Sequence, residues 1–149
     1  MVDSRQKGAR AETVIRDALR KITGIKFERV PGSGALDAKH KLKGDLYIPN
    51  SNNKFCIEVK HYAEDHLTSK VLTSKNSQLI LWWEQAERQG KQVDREPLLI
   101  FKFDRSKIFV AFSKEPSQIY DYVLINVDDY VFYVAELETW INNERPVFV

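Results

Sequence analysis

Asp45, Glu58 and Lys60 are the residues of this chain whose types and spacing could do chemistry together. They fall in the stretch from Gly44 to Lys60, which divides into GDLYIP, a short polar turn NSNNK, and FCIEVK. The two outer pieces read as β-strands joined by a tight connection. Alternation along FCIEVK points Phe55, Ile57 and Val59 to one face and Cys56, Glu58 and Lys60 to the other. An acid and a lysine two apart on a strand sit side by side, and a hairpin brings Asp45 within reach of them. Hard divalent cations such as Mg²⁺ take oxygen ligands and keep several waters, so two carboxylates and a backbone carbonyl make a partial shell. A nearby lysine can orient an attacking water or offset charge developing on a phosphate.

Asp45 followed by Glu58-x-Lys60 resembles the signature of the PD-(D/E)XK nuclease superfamily, with Gly44 standing where that pattern often has proline. The N-terminal block, RQKGARAET, VPGSGA, GDLYI and CIEVK, resembles the archaeal-type and phage-type Holliday-junction resolvases of that superfamily. In that branch a glutamate on the first helix reaches the site, and Glu12 in GARAETVIRDAL matches it. The plainer reading pairs Glu12 with Arg16 one turn on. A serine in the loop after the first strand bears on activity in the same branch. Ser33 takes its place, unless it is a turn serine bonding its own backbone.

The resemblance implies an α/β fold with a restriction-endonuclease-like αβββαβ core, a central mixed sheet flanked by helices. It covers roughly residues 5–112, with strands and a short helix added C-terminally. It implies metal-assisted hydrolysis of DNA phosphodiesters, with Mg²⁺ as the ion and Mn²⁺ able to substitute. Asp45, Glu58 and the Val59 carbonyl hold the cation, Glu12 assists directly or through water, and Lys60 positions the nucleophilic water. It also implies a homodimer that cuts branched or four-way-junction DNA in recombination or repair. Two other readings stay open. One is a nuclease of this fold acting on duplex, ends or foreign DNA; the other is a catalytically silent nucleic-acid-binding domain.

The chain's 149 residues suit one domain with an ordinary core. Apolar runs such as Leu79 to Trp83 are too short to span a bilayer, and the N-terminus lacks the apolar core of a signal peptide, so an intracellular, DNA-associated protein is expected. A single cysteine, Cys56, excludes an intrachain disulfide or a cysteine-based zinc cluster and reads as a small buried hydrophobe. Charge is divided unevenly. Residues 1–75 hold 15 Lys/Arg against 9 Asp/Glu, and residues 76–149 hold 8 against 12. The basic half carries the candidate site, which suits a phosphate-backbone substrate although the chain as a whole is not strongly basic. The candidates for backbone contact are Arg5, Lys7 and Arg10 near the N-terminus, Lys39, Lys41 and Lys43 ahead of Asp45, and Lys102. The 39–43 run could equally be a solvated loop, and Lys102 could be a charge protecting an edge strand.

These residues need elements to hold them. Ala11, Val14, Ile15, Ala18, Leu19 and Ile22 repeat at helical spacing, predicting a helix over Gln6–Thr23 stopped by Gly24. A strand follows over Ile25–Val30, then a loop punctuated by Pro31, Gly32 and Gly34 that matches neither a P-loop nor a nucleophile elbow. After Lys60 the segment 61–70 is expected to be loop. Its His61, Glu64, Asp65 and His66 fit no zinc spacing. A second helix is predicted over Ser74–Gln89, with Trp82 and Trp83 packed on the sheet or serving a partner surface, and Gly90 as terminator. Strands over 97–103 and 107–112, a hairpin turning at Asp128-Asp129, and a helix over Glu136–Asn143 complete the chain.

Overall fold

The apolar stripe of the first helix sets the architecture, because it must be buried on a sheet. In the computed structural model, which describes residues 4–31, 43–62 and 77–149, α1 spans Ser4–Thr23 and buries Ala11, Ile15 and Leu19. It ends where Gly24, at φ +73°, donates its amide to the Arg20 carbonyl at 2.8 Å. Then come β1 (Glu28–Arg29), β2 (Leu46–Tyr47), β3 (Phe55–Tyr62), α2 (Gln78–Gln92), β4 (Glu96–Phe103), β5 (Ile108–Phe112), β6 (Val123–Val127), β7 (Tyr130–Glu136) and α3 (Leu137–Glu144). The seven strands form one mixed α/β sheet in the order β1-β2-β3-β4-β5-β7-β6, in which β3 and β4 are parallel and the other pairs antiparallel.

Strand alternation divides the core in two. On one face Ile57, Val59, Leu98, Ile100 and Val110 pack under α1 and α3; on the other Leu99, Phe101, Ala111, Phe132 and Val134 pack under α2. Trp82 and Trp83 belong to the second layer, where Trp83 stacks on Phe132 at 4.7 Å. They are sheet-packing residues, not a partner surface.

Several boundaries differ from expectation for identifiable reasons. The strand expected over Ile25–Val30 shrinks to two residues. The Arg20 guanidinium takes the Phe27 carbonyl at 2.8 Å and the Thr23 hydroxyl accepts the Ile25 amide, so side chains take groups a ladder would use. β3 runs on through His61 and Tyr62, and the His61 ring bonds Asp104 at 2.8 Å. α2 begins later than expected, with Ser77 accepting the Ile80 amide, and continues past Gly90. Gly90 is no terminator. A Cβ there would lie 2.7 Å from the Arg95 carbonyl oxygen, so glycine lets the returning chain pass against the helix. Lys102 is not on an edge strand, because β4 lies between β3 and β5. Its ammonium donates to the Phe103 carbonyl and lines a cavity of about 550 Å³ with Lys21 and Lys107. Among the described residues no helix is long and apolar enough to cross a membrane.

Candidate active site

The site begins with a glycine that cannot be anything else. Gly44 sits at φ +88°, and a Cβ there would stand 2.6 Å from the Ile57 carbonyl oxygen and 3.2 Å from the Cys56 sulfur. Proline, fixed near φ −65°, could not adopt this conformation. The close approach lets the next residue dock on β3. Asp45 donates its amide to the Ile57 carbonyl at 2.7 Å, and its carbonyl accepts from the Val30 amide at 2.9 Å. Its carboxylate Oδ2 accepts the Val59 amide at 2.7 Å. Asp45 therefore replaces a strand residue in bonding β3. Since N–H and C=O of one extended residue point to the same side, the Val59 carbonyl faces this edge too.

Glu58 and Glu12 reach Asp45 from opposite faces of the sheet. Glu58 lies on the α2 face and is only 3% exposed, with Lys60 two residues on along the same face. Glu12 comes from α1, and its Oε2 accepts from Arg29 Nε of β1 at 2.9 Å. Its ion-pair partner is thus Arg29, not Arg16, which bonds Asp17. Burial, then the charge of Asp45, pushes the Glu12 carboxyl up to about 7 against the pull of Arg29. Burial, then the charge of Glu58, pushes Asp45 up to about 6, with the Val59 amide opposing. Burial also raises Glu58, while Lys60, a bond from Asp45 and Arg88 of α2 work the other way. Three acids thus share too little positive charge near neutral pH.

An all-oxygen donor set with surplus negative charge fits a hard divalent cation. No group of three or more His, Cys, Asp or Glu side chains among the described residues is already set to hold a metal ion. Two carboxylates and the Val59 carbonyl nevertheless suffice for an ion that keeps several waters. The neighbouring thiol adds no chemistry. Burial, then the charge of Glu58, pushes Cys56 up to about 12, leaving it protonated.

Residues 3–144 match the family described as "Phage putative PDDEXK endonuclease". The chain belongs to this family. This nuclease is 38% identical to Protein D14 of Escherichia phage T5, over 95% of its own length and 94% of that protein's. It is also similar to the solved structure of Archaeoglobus fulgidus Hjc, a Holliday junction resolvase, at 19% identity and a TM-score of 0.47, covering 89% of this chain and 91% of that one.

Of the residues singled out in the nuclease's sequence, Glu12, Asp45, Glu58, Val59 and Lys60 come together. Ser33, Lys39 and Lys41 lie outside the described residues, as do Glu64, Asp65, His66 and the side chains of Arg5 and Lys7. Lys43 is half-buried just before Gly44, and Arg10 is exposed on α1. Lys102 and Lys60 lie on opposite faces, since Lys102 pairs in register with His61 and Lys60 with Phe101. Two cations went unnoticed in the sequence, Arg29 against Glu12 and Arg88 beside Glu58. For Arg29 the available signal was a charged residue in a strand ahead of Val30-Pro31. For Arg88 there was none, because its relation to Glu58 depends on how α2 crosses the sheet.

Proposed function

We propose that this nuclease is a divalent-metal-dependent DNA endonuclease, acting with Mg²⁺ or Mn²⁺ as a homodimer on branched substrates such as the four-way junction. The observation that carries the reading is the convergence of Glu12 of α1, Asp45 just ahead of β2 and Glu58 of β3 beside Lys60. Structural acids are rarely buried in contact with too little counter-charge to offset them, because each desolvated carboxylate costs free energy when ionised. Such an arrangement persists where perturbed groups serve a site.

Asp45, Glu58 and the Val59 carbonyl are the groups that would hold the ion, with Glu12 beside them. When bound, the metal lowers the pKa of water and stabilises charge on the phosphate. The protein supplies the rest. The Val59 amide and the main-chain bonds of Asp45 fix one carboxylate in place. Lys60 aims its ammonium at the attacking water or the scissile phosphate, and Arg29 restrains Glu12 at the rim. Water attacks phosphorus, the bridging P–O bond breaks, and no covalent enzyme intermediate is needed. The branched-substrate part rests on the N-terminal block resembling resolvases.

The test is cleavage of a four-way junction, a flap, a linear duplex and a single strand, each with and without Mg²⁺ or Mn²⁺. Metal-dependent cutting with preference for the junction is expected. Equal cutting of linear duplex would remove the junction specificity, and cleavage in excess chelator would remove the metal.

A further inference from the structure

Among the described residues the sheet has two edges, β1 and β6, and they are finished differently. β1 is two residues long and carries the charged Arg29, which protects an edge from unwanted pairing. β6 at the other end is five residues long and pairs with β7 in continuous register, with no lysine, proline or bulge inside it. Asp121, Asp128 and Asp129 stand only at its ends. Apolar side chains are exposed all round this edge: Ile119 completely, and Tyr122, Val123, Leu124 and Val131 at 45–50%. An unprotected hydrophobic edge of this kind is a template for another strand.

We propose that β6 is the interface at which two copies of this chain pair, edge to edge and antiparallel, about a two-fold axis through Leu124. The strand's own pattern selects both the occupant and the register. A two-fold perpendicular to the sheet keeps each face on its own side, so the axis must pass through a residue and not between residues. Centred on Leu124, the pairing sets Leu124 against Leu124 of the partner subunit, Val123 against the partner's Ile125 and Tyr122 against the partner's Asn126. Asp121 then faces the partner's Val127. Moving the axis to Ile125 would set Asp121 against the partner's Asp129, and like charges directly opposite destabilise a pair. Moving it to Val123 would set Asp121 against the partner's Ile125. The Leu124 register keeps the acids of the two copies apart and sets more of β6 against itself than the Val123 register does.

The five exposed side chains present on the order of 500 Å² per chain, so covering all of them in a pair of copies buries at most roughly 1,000 Å², the lower bound for a specific interface. The sheet would continue through the pair as fourteen strands. Leu124, Tyr122 and Val131 would shield one another on the face shared with Tyr133, where Tyr122 already packs edge-on at 5.7 Å. The inference rests on the homodimer of the proposed function and gives it an interface; its test needs neither DNA nor metal, so its failure leaves the cleavage chemistry standing.

The experiment measures mass and cross-linking of the whole chain without DNA or metal. Light scattering on the eluting protein at tens of micromolar is expected to give twice the chain mass of 17.4 kDa, falling to the single-chain mass in Leu124→Arg. Because Leu124 is half-exposed, the arginine can be accommodated without unfolding, which circular dichroism checks. Leu124→Cys should be joined to its partner by a short bis-maleimide, whereas Lys91→Cys on the exposed side of α2 should not; Cys56 is buried and stays silent. A wild-type chain that is monomeric at this concentration overturns the proposal. So does a dimer that persists in Leu124→Arg, or one whose Leu124→Cys form fails to cross-link.

Discussion

β2 meets β3 through one register pair, Leu46 with Ile57, whereas β4 meets β3 over eight positions and β5 over five. The two regions hold their backbones by different means. Around β2, side chains do much of the bonding: Asp45 takes the Val59 amide, and buried Asn53 bonds both the amide and the carbonyl of Ile48. From β4 to β7 the ladder is continuous, and Leu98, Leu99, Ile100, Phe101, Val110, Ala111 and Phe132 are wholly buried. Aromatic contacts such as Trp83 on Phe132 and Phe101 on Phe109 hold that half together. One half gathers carboxylates at the expense of regular pairing, and the other supplies the stability that tolerates it. Residues near the site should therefore govern activity more than stability, and residues of the aromatic half the reverse.

The largest expected effect is on activity. Glu58→Gln or Asp45→Asn should lower cleavage by more than about a hundredfold, since loss even of an outer-shell partner costs 10–100-fold at metal sites. Glu58→Gln should leave the unfolding temperature equal or higher, because it removes a buried charge. Either variant cutting at the wild-type rate under limiting Mg²⁺ would break the division between the regions. Lys60→Ala should likewise abolish cleavage while Mg²⁺ affinity, measured by calorimetry, stays equal or rises slightly. Its cation lies on the face of Glu58 and opposes a second cation there.

The matching substitution in the other half is Phe132→Ala. It should destabilise by about 3–5 kcal/mol, the cost of emptying an aromatic core position. Protein that remains folded at low temperature should keep its kcat. A large kcat loss in a folded Phe132→Ala protein would show that the halves are coupled more tightly than their packing indicates.

What could be read in the sequence follows the same boundary. Alternation in FCIEVK placed Glu58 and Lys60 on one face, and the apolar stripe of α1 placed Glu12 at its border, because both patterns are local and periodic. The partner of Glu12 was not legible. Arg16 is near in sequence, but Arg29 arrives by the pairing of β1 with β2, which no local pattern encodes. Lys102 misled for a similar reason, since edge or centre is a property of strand order and not of the strand. Gly90 resembled a helix stop because its true constraint is the Arg95 carbonyl across a turn. Gly44, by contrast, shows why this chain departs from proline: the positive φ and the Ile57 contact both demand it.

A smaller effect concerns pH. A carboxyl whose folded pKa is raised holds its proton more tightly when folded, so its stabilising contribution is full below the unfolded pKa and is lost as pH rises through the folded one. For Asp45 that window runs from 3.8 to about 6, and for Glu12 from 4.5 to about 7. The metal-free protein should therefore unfold at a lower temperature at pH 7.5 than at pH 5.5. Asp45→Asn should flatten the difference, and Mg²⁺ should recover more stability at the higher pH. A wild-type profile unchanged by Asp45→Asn would mean that the acids do not titrate as their burial requires.

The smallest effect should come from Arg29→Gln. The Arg29 side chain is 42% exposed and that of Glu12 21%, and an ion pair so open to water is worth less than about 1 kcal/mol, so the unfolding temperature should scarcely move. Its consequence should appear in the pH profile of cleavage instead. Arg29 holds the Glu12 carboxyl down against burial and the charge of Asp45, so removing it should raise Glu12 further and move the acid limb of the rate profile to higher pH. Arg29→Lys, which keeps the charge but not the guanidinium geometry, should restore most of that limb. A rate that falls equally at every pH, with no displacement of the limb and no rescue by lysine, would mean that Arg29 acts on the substrate and not through Glu12.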